Sequence, residues 1–360
     1  MKTHHLVSSL ICILFITSCQ KASNDPVPPA QLYFPPVTGN EWQTGTPASL
    51  GWNENAVNDL YTFLDQKNTK AFIVLKNGRM VMEKYFGSFI QDSLWYWASA
   101  GKTLTAMLVG IAQHEGILNI NNKTSDYLGN GWSSLSPAKE NLVTVKNQLT
   151  MTTGLDDNVA DDDCTDKACL QYKADAGTRW AYHNAPYTLL ENVIVNASGK
   201  NYNSYCNEKI SSRIGMSGFW LKSGYNNVFY SNARSMARFG LLLLAKGVWD
   251  QVTVLPDNDY FSAMTSSSQP INPSYGYLTW LNGKNSYMLP ESQISFSGAI
   301  IPNAPPDLFA ALGKNDQKIY VVPSQQLVVI RMGNASGIPL YALSNFDNEL
   351  WGHLKSVIGY

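Results

Sequence analysis

A serine and a lysine three residues apart, Ser99 and Lys102, open the apolar stretch WASAGKTLTAMLVGIA at positions 97–112. At the start of a helix, residues at that spacing project from one face, a single turn apart. The lysine amine then reaches the serine hydroxyl, a weak nucleophile that needs a neighbouring base. The positive end of the helix dipole favours an alkoxide and discourages the lysine from holding its proton. The same spacing occurs at Ser136-Pro137-Ala138-Lys139 and Ser18-Cys19-Gln20-Lys21. The former carries proline in a turn-rich segment and the latter ends an export-like leader. Only Ser99 is followed by a regular apolar face: Leu104, Met107, Leu108, Ile111 and Ala112, with Gly116 as a stop. The plain structural alternative, a capping serine with a decorative lysine, puts the wrong charge in a helix's first turn.

Other chemistries are poorly supplied. Beyond the leader, histidine is confined to His114, His183 and His353, and there is no G-x-S-x-G, H-E-x-x-H or C-x-x-C. No glycine-rich phosphate loop is present. Tyrosine is the remaining acid or base, and tyrosine-x-asparagine occurs at Tyr182-His183-Asn184, Tyr225-Asn226-Asn227 and Tyr230-Ser231-Asn232. The 182–184 triplet lies in a turn before a helix, where side chains are presented outward. The 230–232 triplet runs into the apolar helix ARSMARFGLLLLAK and reads as its N-terminal cap.

The elements that must hold these groups are visible as patterns. AFIVLKNGRMVMEKYFG at 71–87 is a hairpin around Asn77-Gly78. Residues 97–250 are mostly helical in periodicity, including 187–198 and the nearly all-apolar 233–246. Strand-like runs return at 275–281, 308–312, 319–322 and 327–332, and an amphipathic helix is expected over 340–358. This arrangement predicts an α+β, three-layer fold. Its antiparallel sheet draws on both chain ends, about 50–95 and 275–360, around a helical subdomain at about 96–274.

With 44% apolar and only 15% charged residues, the 360-residue chain can build a large core, and a net charge of −1 gives no field for nucleic acid. Residues 1–18 read as a lipoprotein-type signal: Met1-Lys2, an apolar run too short to span a bilayer, then Thr17-Ser18-Cys19. Cys19 is the expected lipidation site, and the proline-rich 19–40 segment a tether to a folded domain at 41–360. These features predict a bacterial cell-envelope protein, periplasmic or outer-membrane associated, anchored to a membrane through Cys19. Three cysteines remain, Cys164, Cys169 and Cys206. Cys164 and Cys169 enclose a short loop and are candidates for a local disulfide, with the other pairings open. The same loop carries Asp156, Asp157, Asp161, Asp162, Asp163 and Asp166 without calcium-loop spacing, and reads as a solvated insertion.

Several segments together resemble the serine β-lactamase-like superfamily, in the branch of class C β-lactamases, D-alanyl-D-alanine carboxypeptidases, family VIII esterases and 6-aminohexanoate-dimer hydrolases. SAGKTLTAMLVGIAQHEGILNINNKTSDYL resembles its nucleophile helix, LTMTTGL at 149–155 its L-T-H-T-S-G-L, and AGTRWAYHN its P-G-T-x-F-x-Y-S-N. The resemblance covers about 50–355. It implies acyl transfer without metal or organic cofactor. Ser99 is then the nucleophile, Lys102 and Tyr182 share the proton work, and Asn184 positions Lys102 and the substrate. It assigns the oxyanion to the N–H groups of Ser99 and Gln317. Family members carry lysine-threonine-glycine or histidine-x-glycine as a third motif. The matching stretch here, ALGKNDQ at 311–317, keeps Lys314 but has Asp316 in place of glycine. An aspartate there is expected to crowd the site and repel carboxylate-bearing substrates. Trp180 is a candidate substrate contact, alongside Lys314, Asp316 and Gln317. The expected function is an exported hydrolase of a small-molecule or peptide ester or amide. The alternatives are a non-catalytic or acylation-trapped penicillin- or peptidoglycan-binding lipoprotein, or a true carboxypeptidase or β-lactamase. Oligomeric state is not readable from the sequence.

Overall fold

The computed structural model describes residues 32–338 and 342–360. The signal segment and Cys19 lie outside the described residues, as does most of the tether. Helix α1 (Asn55–Gln66) leads into a hairpin, β1 (Thr69–Lys76) and β2 (Arg79–Tyr85). Its turn residues Asn77 and Gly78 both have positive φ, and a Cβ at Gly78 would strike the Tyr33 carbonyl. A short strand β3 (Trp95–Tyr96) precedes α2 (Gly101–His114), and α3 spans Asn184–Ser198. Strands β4 (Gly218–Ser223) and β5 (Asn226–Ser231) form a hairpin before α4 (Ala233–Leu244). Strands β6 (Trp280–Leu281), β7 (Phe309–Gly313), β8 (Gln317–Val322) and β9 (Leu327–Gly333) follow, and α5 (Asn345–Ile358) comes last.

The main sheet has the order β2-β1-β9-β8-β7-β6, antiparallel throughout. It pairs the hairpin near the N-terminus with strands from the last third of the chain. The fold is β-lactamase/transpeptidase-like, an α+β arrangement of helices on an antiparallel sheet. Strand alternation assigns its faces. Val328, Ile330 and Ile319 face α4, where a Cβ on Gly240 would lie 2.6 Å from Val328, so only glycine permits that approach. Lys318, Tyr320 and Arg331 face α5, meeting Asp347, Trp351 and Phe346. Every residue of β8 and β9 is buried, as expected of strands covered on both faces. Each large apolar side chain so enclosed contributes about 1.5–3 kcal/mol relative to exposure.

Two departures from the sequence reading have local causes. The segment read as mostly helical also holds the β4–β5 hairpin, turned at Gly224 with φ +60 and paired through β5 with β3 just before that segment. The strand-like run at 275–281 is a strand only at its end: Leu278 has φ +49, and Gly276 packs on the Met264 carbonyl, breaking the extended path. The C-terminal helix begins at Asn345, fixed by a capping box between Ser344 and Asp347.

Candidate active site

Ser99 sits in a short 3-10 turn, Ala98–Ala100, that runs directly into α2. Ala98 holds φ +47, a left-handed conformation for a non-glycine residue immediately before the serine. Lys102 in the first turn of α2 is only 3% exposed, and its Nζ donates to Ser99 Oγ at 3.2 Å and to Asn184 Oδ1 at 2.8 Å. The same nitrogen lies 4.0 Å from the Tyr187 ring centre and 5.2 Å from that of Tyr182. Burial pulls the Lys102 ammonium down to about 7, against the opposing influence of Asp163 and Asp162. A substantial share of the amine is therefore neutral, as a base must be.

Asn184 is the first residue of α3, yet its side chain does not cap the helix; it turns to Lys102, and its Nδ2 donates to Asp162 Oδ2 at 3.4 Å. Tyr182 is placed by the LTMTTGL segment, whose Met151 carbonyl accepts from Ala181 N–H at 3.0 Å. Its ring stacks on Trp280 and meets Tyr275 edge-on. The Tyr182 hydroxyl is buried without a hydrogen-bond partner of normal geometry. Burial pushes this phenol up, with the neighbouring Ser99 side chain pulling it partway back, so it holds its proton. Ser99, Lys102, Tyr182 and Asn184 all line one cavity of about 570 Å³.

The remaining candidates separate. Lys314 lines the cavity. Trp180 does not: it is fully buried and packs against Tyr182, Tyr275 and Trp280, so it supports the tyrosine rather than substrate. Gln317 is also fully buried, its amide bridging Asn315 O and Gly333 O. The expectation for Asp316 is corrected outright. Asn315 and Asp316 both have positive φ (58° and 60°), and this pair of left-handed residues turns the Asp316 carboxylate to the α5 side of the sheet. There it accepts from Ser336 Oγ and Ser344 Oγ at 2.7 Å each and pairs with Lys318 at 3.2 Å. Arg331 holds the carbonyls of Asn315 and Asp316 from the same side. Asp316 therefore neither crowds the cavity nor charges it. Despite burial, Lys318 and the serine hydrogen bonds hold its carboxyl at about 2.

The strand end and the nucleophile turn touch closely at Gly313, where an added Cβ would lie 2.4 Å from Trp97 O and 3.0 Å from Ala100 N. Cys164 and Cys169 form a disulfide, and Cys206 is a buried free thiol. Asp162 and Asp163, expected on a solvated insertion, instead line the cavity, as do Tyr187 and Glu291. Tyr187 was legible in principle, being one helical turn beyond Asn184; the acidic residues were not, because only loop docking brings them in. Asn232 caps α4 through Ser235 N–H, as the sequence indicates, while Tyr230 beside it also borders the cavity.

Solved structures resemble this chain at low identity. A Bacillus anthracis protein provisionally named a 6-aminohexanoate-dimer hydrolase is 18% identical with a TM-score of 0.66, over 88% of this chain and 86% of its own. A Bacteroides dorei protein provisionally named a β-lactamase is 15% identical with a TM-score of 0.65, over 86% of this chain and 100% of its own. The octameric penicillin-binding protein homologue of Pyrococcus abyssi is 16% identical with a TM-score of 0.61, over 84% of this chain and 78% of its own. No curated protein sequence matches significantly. The sequence profile of the beta-lactamase family matches residues 64–349, and the chain belongs to that family.

Proposed function

We propose that the protein is a serine hydrolase that cleaves an ester or amide through an acyl-Ser99 intermediate. The observation that carries this reading is the buried Lys102 amine, held within 3.2 Å of Ser99 Oγ and tuned by burial to about 7. An amine in that state accepts the Ser99 proton as Oγ bonds to the substrate carbonyl carbon. The N–H of Ser99 and that of Lys314, at the strand end that touches the nucleophile turn, receive the oxyanion in place of the expected Gln317. Tyr182, protonated in its buried site, donates to the leaving oxygen or nitrogen as the bond to carbon breaks, and is reprotonated from Lys102. Water then adds to the acyl carbon and releases Ser99 by the reverse proton path. Lys102 acts as the base and Tyr182 as the acid, an assignment supported by the opposite directions in which burial moves their affinities for protons.

The test is intact mass after exposure to a fluorophosphonate, beside a Ser99→Ala control. One adduct, lost in the control, supports an armed serine. No adduct on folded protein overturns the reading in favour of a binding protein, and an adduct without turnover of any ester or amide favours an acylation-trapped one. The envelope location is part of the same proposal. Cys19→Ser is expected to move the protein from the membrane to the soluble fraction on cell fractionation.

A further inference from the structure

Asn184 presents one end of its amide to Lys102, and which end it presents matters to the base. An asparagine side chain carries an acceptor, Oδ1, and a donor, Nδ2, in almost the same shape. A charged amine selects Oδ1 by itself, because an ammonium only donates. The neutral amine does not, since it can donate through N–H or accept on its lone pair. With the amide turned over, Nδ2 would donate to that lone pair and occupy the place that receives the Ser99 proton.

The amide has a second partner. Asn184 Nδ2 donates to Asp162 Oδ2 at 3.4 Å, while Oδ1 accepts from Lys102 at 2.8 Å. Among the described residues, these two hydrogen bonds are all that this side chain makes. Turned over, the amide would set Oδ1 against a carboxylate with no proton between them, a costly contact beside a buried amine.

Asp162 is in turn fixed through its backbone. In the tight turn at 161–164, Asp161 O accepts from Cys164 N–H at 3.2 Å and Asp161 Oδ1 from Asp163 N–H at 3.1 Å. Cys164, buried and bridged to Cys169, anchors the end of that turn. The carbonyl of Asp162 accepts from Ala185 N–H at 3.0 Å, so the loop is docked on the helix turn that carries Asn184.

We propose that Asp162 is a positioning residue for acylation of Ser99: it holds the Asn184 amide with Oδ1 towards Lys102 and so leaves the amine's lone pair free for the serine proton. This rests on the hydrolase reading above. Asp162 touches no reacting atom; it acts through Asn184.

The test is the rate of fluorophosphonate labelling of Ser99 in the intact protein, followed by intact mass across pH. Rates are compared on the plateau above the acid limb, where Lys102 is neutral in every variant. That comparison also removes the separate influence of the Asp162 charge, which favours the protonated amine. Asp162→Ala is expected to label about tenfold more slowly, the scale of one misdirected hydrogen bond. Asp162→Asn keeps an acceptor and should recover most of that loss. In an Asn184→Asp background both ends of residue 184 are oxygens, so there is no amide to orient and Asp162→Ala should cost less than about threefold. Asp162→Leu, close in shape but without an acceptor, replaces the alanine variant should that one not fold by its melting temperature.

No slowing in the variant that lacks an acceptor overturns the proposal. So does equal slowing in Asp162→Asn, which would assign the effect to charge, or the same factor in both backgrounds, which would make Asp162 a packing residue. Wild-type protein that does not label fails the hydrolase reading; a wild type that labels, with these ratios flat, fails this inference alone.

Discussion

Lys102 Nζ lies 2.8 Å from Asn184 Oδ1, a contact that joins the first turn of α2 to the first residue of α3 across 82 positions of sequence. The amide oxygen gives the buried amine an acceptor without giving it a counter-charge, which is what allows desolvation to pull its proton affinity down.

Asn184→Asp replaces that neutral acceptor with a carboxylate. Lys102 would then hold its proton to higher pH, since an opposite charge favours the charged form. In the wild type the acid limb of kcat/KM is expected near the Lys102 value of about 7. In the variant it should move up by about one unit or more, with activity at neutral pH falling roughly tenfold. A pH-rate profile with an ester substrate checks this, and an unmoved limb removes Lys102 from the base role.

Tyr182→Phe deletes a hydroxyl that has no partner in the resting site, while keeping the ring that stacks on Trp280. Stability should change little, whereas kcat should fall by about 10²–10⁴, the usual span for a lost general acid. Melting temperature and kcat measured together separate this from a packing role, in which both would drop.

Gly313→Ala probes the seam between β7 and the nucleophile turn. Its Cβ would meet two backbone atoms that cannot rotate away. The expected outcome is a folded protein with labelling of Ser99 slowed by about 10²-fold, the scale of a displaced oxyanion donor. Rate of adduct formation by intact mass reads it out.

Asp316→Ala leaves Asp347 as the one carboxylate paired with Lys318 and removes the side-chain tie from the 314–316 turn to Ser336 and Ser344. A loss of about 2 kcal/mol is expected, equivalent to the depression of its carboxyl to about 2. The sign follows from that depression: the contribution is fully present above the unfolded value near 4 and disappears as pH falls towards 2. Urea unfolding at pH 7 and at pH 2.5 checks it; the wild-type advantage over the variant should shrink strongly at the lower pH.

What the sequence determined is what depends on local spacing or on a recognisable motif. Ser99 and Lys102 are neighbours because any helix puts residues three apart on one face. The β1–β2 hairpin follows from Asn-Gly, whose residues accept positive φ. The apolar faces of α2 and α4 fix which sides are buried, and the family motifs locate Tyr182 and Asn184. Tertiary structure decided the rest. The direction of the Asp316 carboxylate depends on two consecutive left-handed residues, a backbone choice that Arg331 and Ser344 enforce from distant elements. The pairing of Lys102 with Asn184 and the proton affinity of the amine depend on burial among chain segments brought together only by folding. The place of Asp162 beside Asn184 depends on a loop docking against the start of α3, and nothing in a run of aspartates distinguishes a carboxylate that faces water from one that faces a cavity.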